Sequence, residues 1–276
     1  MERKNLLNNL LLGVQSITKR WFSNPYRTVG LSTWQVKLLK HLPEGKLRSK
    51  TILGHSIWFT SPSELIHGLK EIFVERIYEQ PLPENARILD CGANIGLSVI
   101  YLKQLCPSAR ITAFEPDPLN HALLDRNMRS FGLQDVELEQ AAIWKENTTL
   151  HFSSAGSMGS SIDTNGSAAG LQVKAVRLKD YLQTPVDFLK IDIEGAEYEV
   201  LRDVADSLQQ VKRLFLEYHG RFDQNQELLE MLQWVRNAGF YFYIREAAPV
   251  YPIPFLHERN NKLPYDVQLN IFCFRD

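Results

Sequence analysis

Lys190, Asp192 and Glu194 alternate with Leu189, Ile191 and Ile193, and Glu217-Tyr218-His219 follows further along the chain. Histidine titrates near neutrality and carboxylates accept protons, so this set could relieve a hydroxyl of its proton. Such base assistance contributes roughly 10²–10⁴-fold to a rate. His219 is the leading candidate base. Asp192 reads as a contact to cofactor or substrate, with Glu194 beside it at the strand end. A charge on a central strand is costly unless paired, so Lys190 reads as one half of a structural ion pair. The plainer alternative for His219 is a packing or capping residue. A divalent cation on Asp192, Glu194 and His219 would polarise the hydroxyl instead, but no ligand spacing marks a metal site and none is assigned.

A second stretch with chemical potential is Ile88-Leu89-Asp90-Cys91-Gly92-Ala93-Asn94-Ile95-Gly96. A short apolar run ends in an acid, turns through two glycines and enters a helical pattern. Gly92 and Gly96 lack a Cβ, which permits a tight turn and close approach of a ligand. Glu115 ends the next strand, where a carboxylate can accept both hydroxyls of an adenosine ribose. Nicotinamide-binding domains use an acid at that place too, so Glu115 indicates adenosine and the loop must discriminate. The dinucleotide fingerprint needs a middle glycine to admit a pyrophosphate. Asn94 stands there instead, which suits a phosphate-free cofactor such as S-adenosylmethionine.

These residues need elements to hold them. From Arg87 the pattern alternates strand and helix: strands at 87–91, 110–115, 136–143, 186–193 and 211–218, then 240–245 and 267–274. Helices are expected at 95–105, from Pro118 capped by Asp117 to about 130, from near Ala196, and at 226–238 before Gly239. Repeated strand–helix units imply a parallel sheet with helices on both faces, and ligands beyond the carboxyl ends of its strands. Ser153–Gly170 reads as a loop long enough to be a lid. Ala247–Pro264, with four prolines, Tyr251, Phe255, His257 and Arg259, could grip a sugar or an anion.

Residues 1–80 precede this rhythm: an amphipathic helix at about 4–20, a strand at 51–60, and a helix from Ser63 to about Tyr78. Pro81 and Pro83 separate this N-terminal extension from the main domain, 81–276. The amphipathic helix is expected to pack on its own domain or on a second subunit, making a homodimer. A net charge of −1 provides no basic footprint for nucleic acid. No window reaches the length of a membrane span. Cys91, Cys106 and Cys273 form neither a CxxC pair nor a metal spacing, as expected of reduced residues in a cytoplasmic protein.

Three pieces together carry a resemblance: Asp90-Cys91-Gly92-Ala93-Asn94-Ile95-Gly96, Phe114-Glu115-Pro116-Asp117-Pro118, and Asp187-Phe188-Leu189-Lys190-Ile191-Asp192-Ile193-Glu194-Gly195-Ala196-Glu197. In order and spacing, with Glu217-Tyr218-His219 after them, they resemble the FkbM-type methyltransferases over roughly residues 85–220. The resemblance implies an α/β, Rossmann-like class I methyltransferase fold: seven strands, mostly parallel, the last antiparallel. It implies S-adenosylmethionine as cofactor and methyl transfer to a hydroxyl of a saccharide or polyketide-like natural product. Asp90, Gly92, Ala93, Asn94 and Gly96 would then surround the methionine part, Glu115 the ribose, and Ala141-Ala142 the adenine. The rival readings are a nicotinamide-dependent oxidoreductase and a non-catalytic scaffold.

Overall fold

The computed structural model of this chain describes residues 24–153, 161–162, 171–257 and 264–275. The expected helix at 4–20, its dimer contact, most of the expected lid and Arg259 lie outside the described residues. Helix α1 (Thr33–Lys40) starts in a capping box between Ser32 and Gln35. Strands β1 (Arg48–Ile52) and β2 (His55–Phe59) follow as an antiparallel ribbon. The sequence reads 51–60 as one strand; Leu53 and Gly54, both left-handed at φ 54° and 82°, turn it back on itself. Helix α2 (Pro62–Gly68) is capped by Ser61, which accepts from the Glu64 N–H, and not by Ser63. It widens into a π-helix, Leu69–Val74, and ends well before Pro81.

Next come β3 (Arg87–Cys91), α3 (Leu97–Leu105), β4 (Arg110–Phe114), α4 (Pro118–Ser130) and β5 (Glu137–Glu139). Strands β6 (Ala142–Trp144), β7 (Thr148–Ser153), β8 (Ser161–Ile162) and β9 (Leu171–Arg177) form a separate sheet. The chain continues through α5 (Leu178–Tyr181), β10 (Phe188–Ile191), α6 (Glu197–Val204), β11 (Arg213–Gly220), α7 (Asn225–Asn237), β12 (Tyr241–Glu246) and β13 (Val267–Phe274). Across the main sheet the order is β12-β13-β11-β10-β3-β4-β5. All seven strands run one way except β13, which lies antiparallel between β11 and β12. This is the class I methyltransferase arrangement. The expected strand at 136–143 breaks because the Ala141 N–H closes a tight turn onto the Glu139 carbonyl at 2.9 Å. Its first part stays at the main sheet's edge, and its second pairs with β9.

Strand order reverses beside β3: α3 leads outward to β4, while the return to β10 lies on the other side. The crevice of an open sheet forms at that switch point. Apolar residues from both faces build two clusters. One joins Val29, Phe59, Leu65 and Tyr78 to Ile88, Ile111 and Phe215, so the segment before residue 80 shares a core with the sheet. The other packs Leu89, Leu189 and Leu216 against Val200 and Met231.

Asn127 on α4, wholly buried, ties the ribbon to the glycine loop. Its Oδ1 accepts from the Trp58 N–H at 2.7 Å, and its Nδ2 donates to the Trp58 and Ile95 carbonyls at 3.1 and 2.8 Å. Asn127→Ala strips partners from three backbone groups. It should lower the unfolding free energy by about 3 kcal/mol, read as a lower urea midpoint with an unchanged denaturant slope.

Candidate active site

A crevice enclosing about 1390 Å³, its open mouth included, lies at the carboxyl ends of β3, β4 and β10. Gly92–Ile95, Glu115, Ala141–Ile143, Asp192–Glu194 and Glu217 line it, as the sequence expects. The glycines have a different reason than ligand approach. At φ 88°, a Cβ on Gly92 would sit 1.8 Å from the Asp192 carbonyl oxygen, so the closeness of the two strand ends demands glycine. A Cβ on Gly96 would lie 2.7 Å from side-chain atoms of Leu124 and Met128, so Gly96 serves the packing of α4. Gly96 and Asp90 therefore stand behind the crevice wall and do not line it. Asn94, at φ 48°, occupies a left-handed place that asparagine tolerates better than most residues.

Glu115 is almost fully buried, and each of its oxygens already accepts one backbone N–H. Asn94 donates to Oε2 at 2.8 Å and Asp117 to Oε1 at 3.0 Å. Each oxygen keeps a second acceptor site, which matches the paired hydroxyls of a ribose. Burial pushes the carboxyl up to about 7 against those two hydrogen bonds. Ala141, Ala142 and Ile143, the start of β6, provide an apolar wall beside it, suited to adenine.

Lys190 lies in β10 at the floor of the crevice. Its Nζ is 3.2 Å from Asp90 Oδ1 and 3.3 Å from Asp192 Oδ2, and it donates to the Gly92 carbonyl at 2.7 Å. Burial pulls its pKa down, but the charges of Asp90 and Asp192 outweigh burial and hold it well above its ordinary value. Lys190 is thus the paired structural cation that the sequence suggests. Asp90 also accepts from the Ser98 hydroxyl.

His219 lies inside β11, not past its end, and its side chain is only 1% exposed. Nδ1 sits 3.1 Å from Glu197 Oε1; Nε2 sits 3.6 Å from Glu194 Oε2 and from Glu217 Oε1. Burial lowers its pKa, but Glu197, Glu217 and Glu194 more than reverse this and hold it above its ordinary value. The ring is buried behind the crevice wall, not the open base read from the sequence. Burial raises Glu194 to about 8, with Asp192, Glu197 and Glu217 adding to the shift against the pull of His219. Asp192 is raised by burial and by Glu217.

A family model described as the methyltransferase FkbM domain matches residues 90–242, more than half of the chain. The chain belongs to the FkbM methyltransferase family. It is 34% identical over 170 residues to Methyltransferase 1 of Beauveria bassiana, covering 52% of this chain and 68% of that protein. It is 27% identical over 176 residues to the 2-O-methyltransferase NoeI of Sinorhizobium fredii, covering 56% and 68%. The crystal structure of methyltransferase FkbM from Methylobacillus flagellatus superposes with a TM-score of 0.46 at 15% identity, over 76% of this chain and 54% of that one.

Several lining residues of this FkbM methyltransferase went unnoticed in the sequence. Glu64, His67, Glu71 and Tyr78 reach the crevice from α2 and the segment after it, and Tyr265 and Gln268 from the start of β13. His67 and Glu71, four residues apart with Nε2 and Oε2 separated by 3.0 Å, were a legible pair on the same side as Glu64. Glu197, quoted above with no role, is 1% exposed and accepts from the Gly195 and Ile193 N–H groups as well as facing His219.

Removing one partner of a buried ion pair leaves the other charge uncompensated. Lys190→Met should cost about 3–5 kcal/mol of stability. Adding Asp90→Asn should restore part of that loss, a coupling that a double-mutant cycle of denaturant melts would measure.

Proposed function

We propose that this methyltransferase moves a methyl group from S-adenosylmethionine to a hydroxyl of a saccharide or polyketide-like natural product. The observation that carries the reading is Glu115: a buried carboxylate with one acceptor site left on each oxygen, an apolar wall at Ala141–Ile143 on one side and the Gly92–Asn94 loop on the other. A phosphate-free adenosyl group suits that surface, since Lys190, the cation beside the loop, is already committed to Asp90 and Asp192. When bound, the cofactor supplies an electrophilic methyl on a sulfonium. The chain's own contribution is to hold the acceptor oxygen in line, about 3–3.5 Å from the carbon, which can contribute ~7–11 kcal/mol.

Asp192 and Glu194 face the acceptor end of the crevice and receive the hydroxyl proton. His219 acts from behind through Glu194 and Glu217, which places it as a positioning residue. The mouth is formed by α2 and the π-turn with Glu64, His67 and Glu71. Carboxylates outnumber cations there, so neutral or amino-bearing acceptors are favoured over anionic ones.

Two outcomes test this. Ribose hydroxyls donate to an ionised carboxylate, so affinity for S-adenosylmethionine should fall as pH drops below the Glu115 value of about 7, by up to about tenfold per unit. The raised value also means that the free fold holds a proton the unfolded chain releases above the ordinary 4.5. The protein without cofactor should therefore lose stability as pH rises through about 7. Calorimetric titration and melts across the range check both, and Glu115→Gln should bind weakly at every pH. Mass-spectrometric screening of neutral, amino and uronic saccharides and of polyketide alcohols should find a single methyl added to the first two classes or the last. His219→Ala should cut that turnover by roughly 100-fold while cofactor affinity stays within about threefold. Methylation of no hydroxyl in a protein that binds the cofactor would overturn the acceptor assignment.

A further inference from the structure

Negative charge beneath the acceptor end exceeds what the neighbouring cations balance. Asp192, Glu194 and Glu217 line the crevice and Glu197 lies buried behind them. Opposite stand Lys190, already committed to Asp90 and Asp192, and the single imidazole of His219. The contact of 3.1 Å from Nδ1 to Glu197 Oε1 places a ring proton on Nδ1 and leaves Nε2 facing Glu194, Glu217 and the Gln268 amide. A buried carboxylate that fixes one nitrogen is how metal-ligating histidines are oriented; the Gln268 amide, 3.4 Å from Nε2 and donating to Glu217 Oε1, turns aside to admit an ion.

Distances around Nε2 point the same way. Its separations of 3.6 Å from Glu194 Oε2 and from Glu217 Oε1 are too long for hydrogen bonds. They suit neighbouring vertices of a coordination shell: two donors about 2.1 Å from a shared ion, at a tetrahedral angle, lie roughly 3.4 Å apart. One donor atom from each of Asp192, Glu194 and His219 falls within 4.8 Å of the others. The turn that carries Asp192 and Glu194 is itself pinned, because Glu197 accepts from the Ile193 and Gly195 N–H groups at 3.3 and 3.0 Å. A single buried side chain therefore orients both halves of the set.

We propose that Asp192, Glu194 and His219 form a binding site for a divalent cation, with Glu217 beside it and Glu197 holding the imidazole from behind. One imidazole among carboxylates favours Mn²⁺ or Zn²⁺ over Ca²⁺. No short motif announces the site because its donors come from the turn after β10 and from within β11. The cation faces the place where the acceptor hydroxyl arrives and polarises it; that role rests on the O-methyltransferase reading, whereas binding of the ion does not.

The test is a titration of the metal-stripped full chain with Mn²⁺, followed by water-proton relaxation, with Zn²⁺ as competitor. A single Mn²⁺ per chain is expected. Glu194→Gln and His219→Ala should each weaken it by about 10–100-fold, and Glu197→Gln, which touches no ion, by about tenfold. Cofactor affinity of the same variants reports that they are folded. Absence of saturable Mn²⁺ or Zn²⁺ binding in a chain that binds S-adenosylmethionine overturns the site and leaves the methyltransferase reading standing. Mn²⁺ affinity indifferent to Glu194→Gln and His219→Ala overturns it as well. Stoichiometric binding lost in those variants supports the site even if no hydroxyl acceptor is methylated.

Discussion

One ammonium group holds the crevice open in its present shape. Lys190 Nζ reaches Asp90 on the neighbouring strand, Asp192 at the end of its own, and the carbonyl of Gly92 in the loop between. Those three contacts join β3, β10 and the glycine loop at the one place where strand order reverses. A charge buried this deeply is tolerated only because Asp90 is equally buried and Asp192 stands beside it at the crevice edge. The same closeness explains Gly92, whose missing Cβ is the space that the Asp192 carbonyl occupies. Pairing, glycine and carbonyl form a single constraint: relaxing any one would let the strand ends part.

The segment before residue 80 is not an accessory laid over a finished domain. Val29, Phe59, Leu65 and Tyr78 belong to the same apolar cluster as Ile88 and Phe215, and Asn127 spends its whole amide on Trp58 and Ile95. Packing on that side fixes α2 and its π-turn against the sheet. π-turns recur at functional sites, and this one sets Glu71 and Ile72 into the crevice wall. One half of the crevice lining is thus made by the repeating strand–helix units, and the other largely by what precedes and follows them.

That division also explains what could be read from the sequence. Helix α4 matches its expected span because Asp117 and Pro118 announce its start locally, and β13 matches because its apolar run is bounded on both sides. The place of the glycine loop and Glu115 in the crevice lining was legible for the same reason: chain order alone brings them to one end of the sheet. Position 140 was not, because whether a strand leaves one sheet for another depends on partners far along the chain. The ribbon at 48–59 was hidden by a turn whose first residue, Leu53, is not a turn former. Glu197 was invisible as a functional residue because its importance lies in touching His219, twenty-two positions away, across a helix–strand contact.

On the proposed hydroxyl-acceptor reading, moving a methyl from a sulfonium to a neutral oxygen disperses positive charge along the reaction path. Bare carboxylates beside the reacting atoms would hold the ground state more tightly than the transition state, which slows the chemical step. An acidic acceptor end therefore has to be neutralised. The chain does so in part by burial, which raises Glu194 to about 8 and lifts Asp192 above its ordinary range, making both more ready to take up a proton. It does so in part with the fixed cation Lys190 and with the imidazole of His219. A cation bound at Nε2 of His219 completes the same balance without consuming the carboxylates as acids. Each carboxylate that holds the ion through one oxygen keeps the lone pairs of the other for the acceptor. Neutralisation by protons would fill those lone pairs, and the wall of the crevice would lose the acceptors that a hydroxyl must meet there.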